Sequence, residues 1–287
     1  MNRRHFLQSG ALGALSLHAF PHHLFASTTK KYGTDKIVLG PRNIQLSRLA
    51  MGTGTRGGRG SSNQTRKLGY QGVAELFRAG YDQGVNFWDS ADQYGSHTYL
   101  REALKTVPRE KVVILTKTNA ITAADVKADI DRFRKEIGVD YIDILLMHKM
   151  EDADWNVKMK GPMDVISEAQ DRGIVRSHGT SCHTLAALKT AAEEPWVEID
   201  LARINPAKVA MDAELETVLS VLHQMKKAGK GVIGMKILGQ GALRDKADEC
   251  LQFALAAECV DCFTIGSESR AEMEDLLRKI PAASTRG

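Results

Sequence analysis

A (β/α)8 TIM barrel preceded by an N-terminal β-hairpin is the fold this 287-residue sequence predicts. Segments of strand length alternate with segments of helical periodicity, which signals a parallel sheet. The strand segments are continuous apolar runs, VVILT and IDILLM among them, as expected where both faces are covered. Eight strand–helix units follow one another with no interval long enough for a second domain, and about 250 residues is an ordinary size for such a barrel. An open doubly wound sheet is the alternative.

The elements follow in order. Residues 1–26 carry Arg3 and Arg4, then Phe6 and Leu7, then a mildly apolar run through Phe20, the pattern of a twin-arginine export signal with cleavage near Ala26. The run is too short for a permanent membrane span. The expected location is therefore exported and periplasmic, with the twin-arginine machinery as a partner and residues 27–287 as the barrel domain. KIVLGPRNIQLS reads as a hairpin around Gly40-Pro41, and RLAMGTG as the first barrel strand. The glycine-rich RGGRGSSNQTRKLG reads as a loop. GVAELFRAGYDQG then leads as a helix into VNFWD, HTYLREALKTV into KVVILTKT, and ADVKADIDRFRKEIG into YIDILLMHK. PMDVISEAQDRG leads into IVRSHGTSC, LAALKTAAEEP into EIDLARINP, ELETVLSVLHQMKKAGK into GVIGMKILG, and DKADECLQFALAA into CFTIGSES, before the closing helix AEMEDLLRKI.

Composition narrows the partners. Net charge is +4, and about +2 once Arg3 and Arg4 are set aside, with no basic stripe of the kind that binds nucleic acid. Cys259 and Cys262 have C-x-x-C spacing, but no second pair or ligand histidine accompanies them, so they read as packing residues.

The chemistry lies at the strand ends, which in this fold face one mouth. Asp89 ends the second strand with Tyr94 just beyond; Lys117 ends the third and His148 the fourth. A lysine at the end of a buried strand is costly unless paired, and Asp89 on the neighbouring strand is its natural partner. A tyrosine beside a lysine cation is expected to lose its proton below the free value of about 10 and to serve as a general acid–base. A neutral His148 would donate to a carbonyl oxygen. Asp92, in the same polar turn, reads as solvated or helix-capping.

With these residues in place, GVNFWDSADQYGSHTYLREAL, VVILTKT, YIDILLMHK, GMKILGQGAL and TIGSESRAEMEDLL resemble, in order and spacing, the aldo-keto reductase family. The resemblance runs from about Ile37 onward. It implies a barrel that binds NADP(H), with NAD(H) the alternative, and reduces carbonyls of small aldehydes, ketones or sugars. Asp89, Tyr94, Lys117 and His148 would be the catalytic tetrad, with Tyr94 the proton donor. Cofactor contacts carry over to Gly52, Thr53, Ser181, Asn205, Met235, Lys236, Leu238, Gly239, Gly266 and Ser267, with Arg270 the candidate for the adenosine 2′-phosphate. Three positions depart from the family pattern: Cys182 replaces an asparagine, Ile204 a tyrosine, and Met235 an aromatic ring. Glu268 opposes an NADP preference. Trp88 is expected in the packing, and Trp155 either as a pocket wall or as a loop anchor. Two rivals remain at this stage, a non-catalytic nucleotide-binding sensor and a metal-dependent hydrolase using His148 and Asp89 with His178 and His183; no metal ligands are assigned to the reductase.

Overall fold

The structure, a computed structural model, describes residues 30–284. The export signal expected in residues 1–26 lies outside the described residues. Strands β1 (Lys36–Leu39) and β2 (Ile44–Ser47) form an antiparallel hairpin. Eight strands then close a barrel: β3 (Leu49–Gly52), β4 (Phe87–Asp89), β5 (Val113–Thr118), β6 (Ile142–Met150), β7 (Val175–Cys182), β8 (Ile199–Arg203), β9 (Gly231–Met235) and β10 (Cys262–Ile265). Every neighbouring pair in the barrel is parallel, and β10 closes on β3. Helices α1 (Asn63–Asp82), α2 (His97–Ala103), α3 (Ala123–Ile137), α4 (Trp155–Lys158), α5 (Lys160–Asp171), α6 (Leu185–Glu193), α7 (Leu215–Lys227), α8 (Ala247–Ala256) and α9 (Arg270–Ala283) lie in the connections. No helix among the described residues is long and apolar enough to cross a membrane.

Two apolar layers hold these elements. The inner one comprises Ala50, Phe87, Val113, Leu115, Ile144, Leu146, Ile199, Leu201 and Ile233, and the hairpin's Leu39, Ile44 and Leu46 join it. The hairpin stops the barrel from below; Leu39 packs so closely that a Cβ on Gly231 would stand 2.8 Å from its Cδ1. The outer layer lies between strands and helices. It contains Trp88, fully buried and edge-on to Phe77 of α1 at 5.0 Å, as its place opposite Asp89 predicts. All four cysteines are buried free thiols.

One segment departs from the sequence reading. The glycine-rich loop ends at Ser62, and α1 begins at Asn63, earlier than the apolar periodicity indicates. Ser62 and Thr65 cap each other reciprocally, Thr65 N donating to Ser62 Oγ at 3.3 Å and Ser62 N to Thr65 Oγ1 at 2.8 Å. The first turns carry few apolar residues, so capping starts the helix there. Gly69, at φ +65°, then breaks its regularity.

Candidate active site

The strand period of two sets which residues meet at the mouth. Phe87, Leu115 and Leu146 point into the inner core, so Asp89, Lys117 and His148, two positions further along each strand, point the same way. On β7 the same parity brings Ser181 inward, opposite His148, and on β8 and β9 it brings Arg203 and Met235. The barrel interior thus turns from apolar to polar at its upper rim.

Lys117 is fully buried. Its ammonium donates to Asp89 Oδ1 and, at 2.7 Å, to the carbonyl of Ser90. The other carboxylate oxygen of Asp89 accepts from Thr264 Oγ1 at 2.8 Å. Burial lowers the lysine pKa, and Asp89 opposes that shift. Tyr94 ends a short 3-10 turn, Asp92–Tyr94, and Lys117 Nζ lies 5.0 Å from the centre of its ring. His148 stands edge-on to the same ring, with centroids 5.7 Å apart. Burial holds the His148 pKa well below its usual value, and the Lys117 charge adds to the shift. The imidazole is neutral, and its buried Nδ1 has no partner.

The tyrosine itself differs from expectation. Its phenol pKa is raised, first by burial and then by the Asp89 charge. Lys117 commits its protons to Asp89 and Ser90 and sits over the ring face, so it does not draw the phenol proton off. Tyr94 is therefore a protonated phenol, suited to giving a proton to an oxygen that has gained charge.

Tyr94 is packed beneath the β3–α1 loop. A Cβ on Gly54 would meet Tyr94 Cζ at 2.5 Å and Oη at 2.9 Å, and one on Gly57 would meet Cδ1 at 2.4 Å. The loop is pinned to the turn by Gly60 N, which donates to Gln93 O at 3.0 Å. A cleft with an empty volume of about 700 Å³ runs outward from Asp89 and Tyr94. It is lined by Met235 to Leu238, by Thr264 to Gly266, and by the guanidinium-bearing Arg56 and Arg244.

The cleft suits an extended nicotinamide dinucleotide. Ser181 Oγ is buried in the mouth without a partner, a waiting donor or acceptor for an amide. Among the described residues the amides of Ile237 and Leu238 have no hydrogen-bond acceptor, and Lys236 between strand and loop has φ +59°. Such a turn of free amides is an anion cradle. Among the described residues the Lys236 ammonium has no carboxylate partner; burial, then the neighbouring cations Arg203 and Lys117, lower its pKa to about 8. Gly52 and Gly266 keep the floor low: a Cβ would stand 2.8 Å from Thr264 Oγ1 at the first and 2.5 Å from Thr55 Oγ1 at the second.

Other expected contacts are engaged elsewhere. Thr53 Oγ1 donates to Asp89 O at 3.0 Å, bracing the strand end. Asn205 spends its amide on Val209 O at 2.8 Å and Lys236 O at 3.1 Å, holding the loop after β8 against that after β9. Gly239 is buried at φ +53° beneath Leu243 and Val209. Ser267 is buried, and Arg270 pairs with Glu274 at 2.7 Å on an exposed flank of α9. Trp155 is a loop anchor: it is 2% exposed and its Nε1 donates to Ala187 O at 3.1 Å.

Sequence reasoning missed Glu268 as an organiser. Its buried carboxylate bonds Lys67, accepts from Asn63 Nδ2 at 2.7 Å and pairs with Arg244 at 3.2 Å. It also missed Arg203, held between Asp212 and the His183 carbonyl at the mouth. The histidines of the hydrolase reading separate. His183 stays near His148, with centroids 6.3 Å apart, whereas His178 is stacked on Trp196 on the outer side of β7. Among the described residues, Asp92, His97 and Glu136 are the trio close enough to share an ion, and the Arg132 guanidinium already bonds both carboxylates.

Fold and site together define a (β/α)8 barrel with a tyrosine-centred acid–base group at its C-terminal mouth and a cleft for a long anionic cofactor. The aldo/keto reductase family model matches residues 48–280, and the chain belongs to that family. The NADH-specific methylglyoxal reductase of Escherichia coli (strain K12) is 24% identical over 205 residues, 63% of this chain and 62% of the relative. The D-threo-aldose 1-dehydrogenase of a Pseudomonas species is 21% identical over 214 residues, 63% of this chain and 64% of the relative. The chain thus spans less than two thirds of the length of these curated relatives. In three dimensions it resembles the holo form of an aldo-keto reductase from Bacillus halodurans, with TM-score 0.69 and 16% identity over 88% of this chain and 91% of that one.

Proposed function

We propose that the protein is a nicotinamide-dependent oxidoreductase that reduces the carbonyl of small aldehydes, ketones or sugars. The observation that carries this reading is the convergence of a protonated Tyr94, a neutral His148 and a buried Lys117–Asp89 pair beside a cleft lined with free amides. The nicotinamide, when bound, supplies hydride to the carbonyl carbon. His148 orients the carbonyl oxygen, and Tyr94 Oη gives that oxygen its proton as charge develops there. The Lys117 ammonium beneath the ring stabilises the phenolate left behind, and solvent reprotonates it. Ser181 would hold the carboxamide; Ile237, Leu238 and the Lys236 ammonium would hold the pyrophosphate.

The far end of the cleft favours NAD(H) over the NADP(H) suggested by family resemblance. Arg244, a cation lining the cleft, is paired with Glu268. Two donors at the α9 entrance are taken by the chain itself: Glu268 N donates to Glu272 Oε2 at 2.7 Å and Glu272 N to Ser269 Oγ at 3.1 Å. A 2′-phosphate would meet two carboxylates there, whereas a carboxylate is a good acceptor for a ribose hydroxyl. The Arg3–Arg4 motif further supports export to the periplasm in a folded state.

The test is titration of the purified protein with NADH and NADPH by cofactor fluorescence, then a panel of aldehydes with wild type and Tyr94→Phe. Binding with turnover that Tyr94→Phe abolishes is expected; failure to bind either nucleotide overturns the reading. Fractionation of cells expressing the full chain, with Arg3 and Arg4 intact or replaced by lysine, tests export.

A further inference from the structure

The tetrad brings together two short segments, the turn that carries Tyr94 and the strand end that carries Lys117. A ring of side chains outside the cleft joins both segments to helix α3. Asp92, the first residue of the tyrosine turn, accepts from Arg132 Nη1 at 2.7 Å. The same guanidinium donates to Asp129 at 2.6 Å and Glu136 at 3.1 Å, one turn back and one turn forward along α3. From there the ring reaches both neighbours of Lys117. Thr118 Oγ1 donates to Asp129 Oδ2 at 2.5 Å. Glu136 Oε2 bonds His97 Nδ1 at 2.8 Å, and His97 Nε2 bonds Thr116 Oγ1 at 2.7 Å. His97 opens α2, three residues beyond Tyr94, so the tyrosine turn is held before and after the phenol.

Strand alternation explains the arrangement. Lys117 points into the barrel, so Thr116 and Thr118 point outward, where α3 covers β5. None of the ring residues touches the reacting atoms. We propose that Arg132 is a positioning residue: through Asp92 on one side and the Asp129–Thr118 and Glu136–His97–Thr116 links on the other, it sets the Tyr94 phenol relative to the Lys117 ammonium. Among the described residues the Tyr94 hydroxyl has no hydrogen-bond partner, and the ammonium lies 5.0 Å from the ring centre, so their alignment depends on the two backbone segments. Small misplacement of acid–base groups is costly to rate. The catalytic consequence rests on the carbonyl-reductase reading; the geometric one does not.

Two variants and two readouts test this. Arg132→Met removes the hub, and Thr118→Val cuts the Asp129 link, together with the bond Thr118 Oγ1 accepts from Ala120 N, by an isosteric change. In each, kcat for an aldehyde is expected to fall about tenfold, equivalent to about 1.4 kcal/mol, while KM and nucleotide affinity stay within twofold. The double variant should be no slower than the worse single one, because both cut one ring. Arg132→Lys should recover part of the rate. Independently of turnover, the Tyr94 resonance in protein labelled at tyrosine Cζ, assigned with Tyr94→Phe, should broaden or split in Arg132→Met. An unshifted, sharp Tyr94 resonance overturns the proposal even if no substrate is found. Wild-type kcat in both variants, or a rate loss matched by lost nucleotide binding, overturns it where turnover is measured.

Discussion

Lys117 presents its ammonium to the face of Tyr94, 5.0 Å from the ring centre, while giving its protons to Asp89 and the Ser90 carbonyl. The lysine is therefore neutralised from one side and supports the phenol from the other. This separates two roles that a direct lysine–phenol hydrogen bond would merge: the pair keeps a buried charge tolerable, while burial and the Asp89 charge keep the phenol protonated.

Breaking this pair should cost stability as well as rate. Lys117→Met leaves Asp89 buried with only Thr264 as a side-chain partner, so urea denaturation should show a loss of about 3–5 kcal/mol. Converting Asp89 to Asn in the same chain should restore most of it without restoring turnover. Equal stability of the single and double variants would contradict the pairing.

Gly57→Ala tests the packing over the phenol. The new methyl group would stand 2.4 Å from Tyr94 Cδ1, so the ring or the loop must move. A drop in kcat of at least tenfold is expected, with nucleotide binding retained and little change in the melting temperature.

Glu268→Gln tests cofactor choice. Removing the charge frees Arg244 and Lys67 and lifts the repulsion on a 2′-phosphate. The affinity ratio of NADPH to NADH, read by fluorescence titration, should rise by about tenfold, the equivalent of about 1.4 kcal/mol. An unchanged ratio would place the adenosine away from Glu268.

Asp200 supplies a pH signature. It lies on the outer side of β8, fully buried, with Thr180 Oγ1 donating to Oδ1 at 2.9 Å and Oδ2 without a partner. Burial pushes its carboxyl up to about 7. Between its unfolded value of about 4 and about 7 the folded state binds a proton that the unfolded state lacks. Stability therefore falls as pH rises through that window, and the loss is complete above it. The neutral Asp200→Asn should match wild type near pH 4 and exceed it at pH 8 by up to about 4 kcal/mol, measured by denaturant titration at both pH values.

Periodicity made most of the architecture legible. Alternation of apolar runs with helical segments is a local property, and it identified the barrel and the outward place of Trp88. The start of α1 was hidden because Ser62 and Thr65 initiate it by capping, without an apolar stripe. Trp155 could not be sorted between wall and anchor because its partner, the Ala187 carbonyl, lies 32 residues away. Asp92 looked idle because its partner is on α3.

The sequence by itself determined which residues end the strands on the barrel's inner face, because a period of two leaves Asp89, Lys117 and His148 no other direction once the apolar residues before them are buried. Only the tertiary structure decided what those groups do to one another. The protonated state of Tyr94, the neutrality of His148, the linking of Arg132 to both halves of the tetrad and the pairing of Glu268 with Arg244 depend on burial and distance. Those quantities belong to packed surfaces contributed by separate stretches of chain, and no local pattern encodes them.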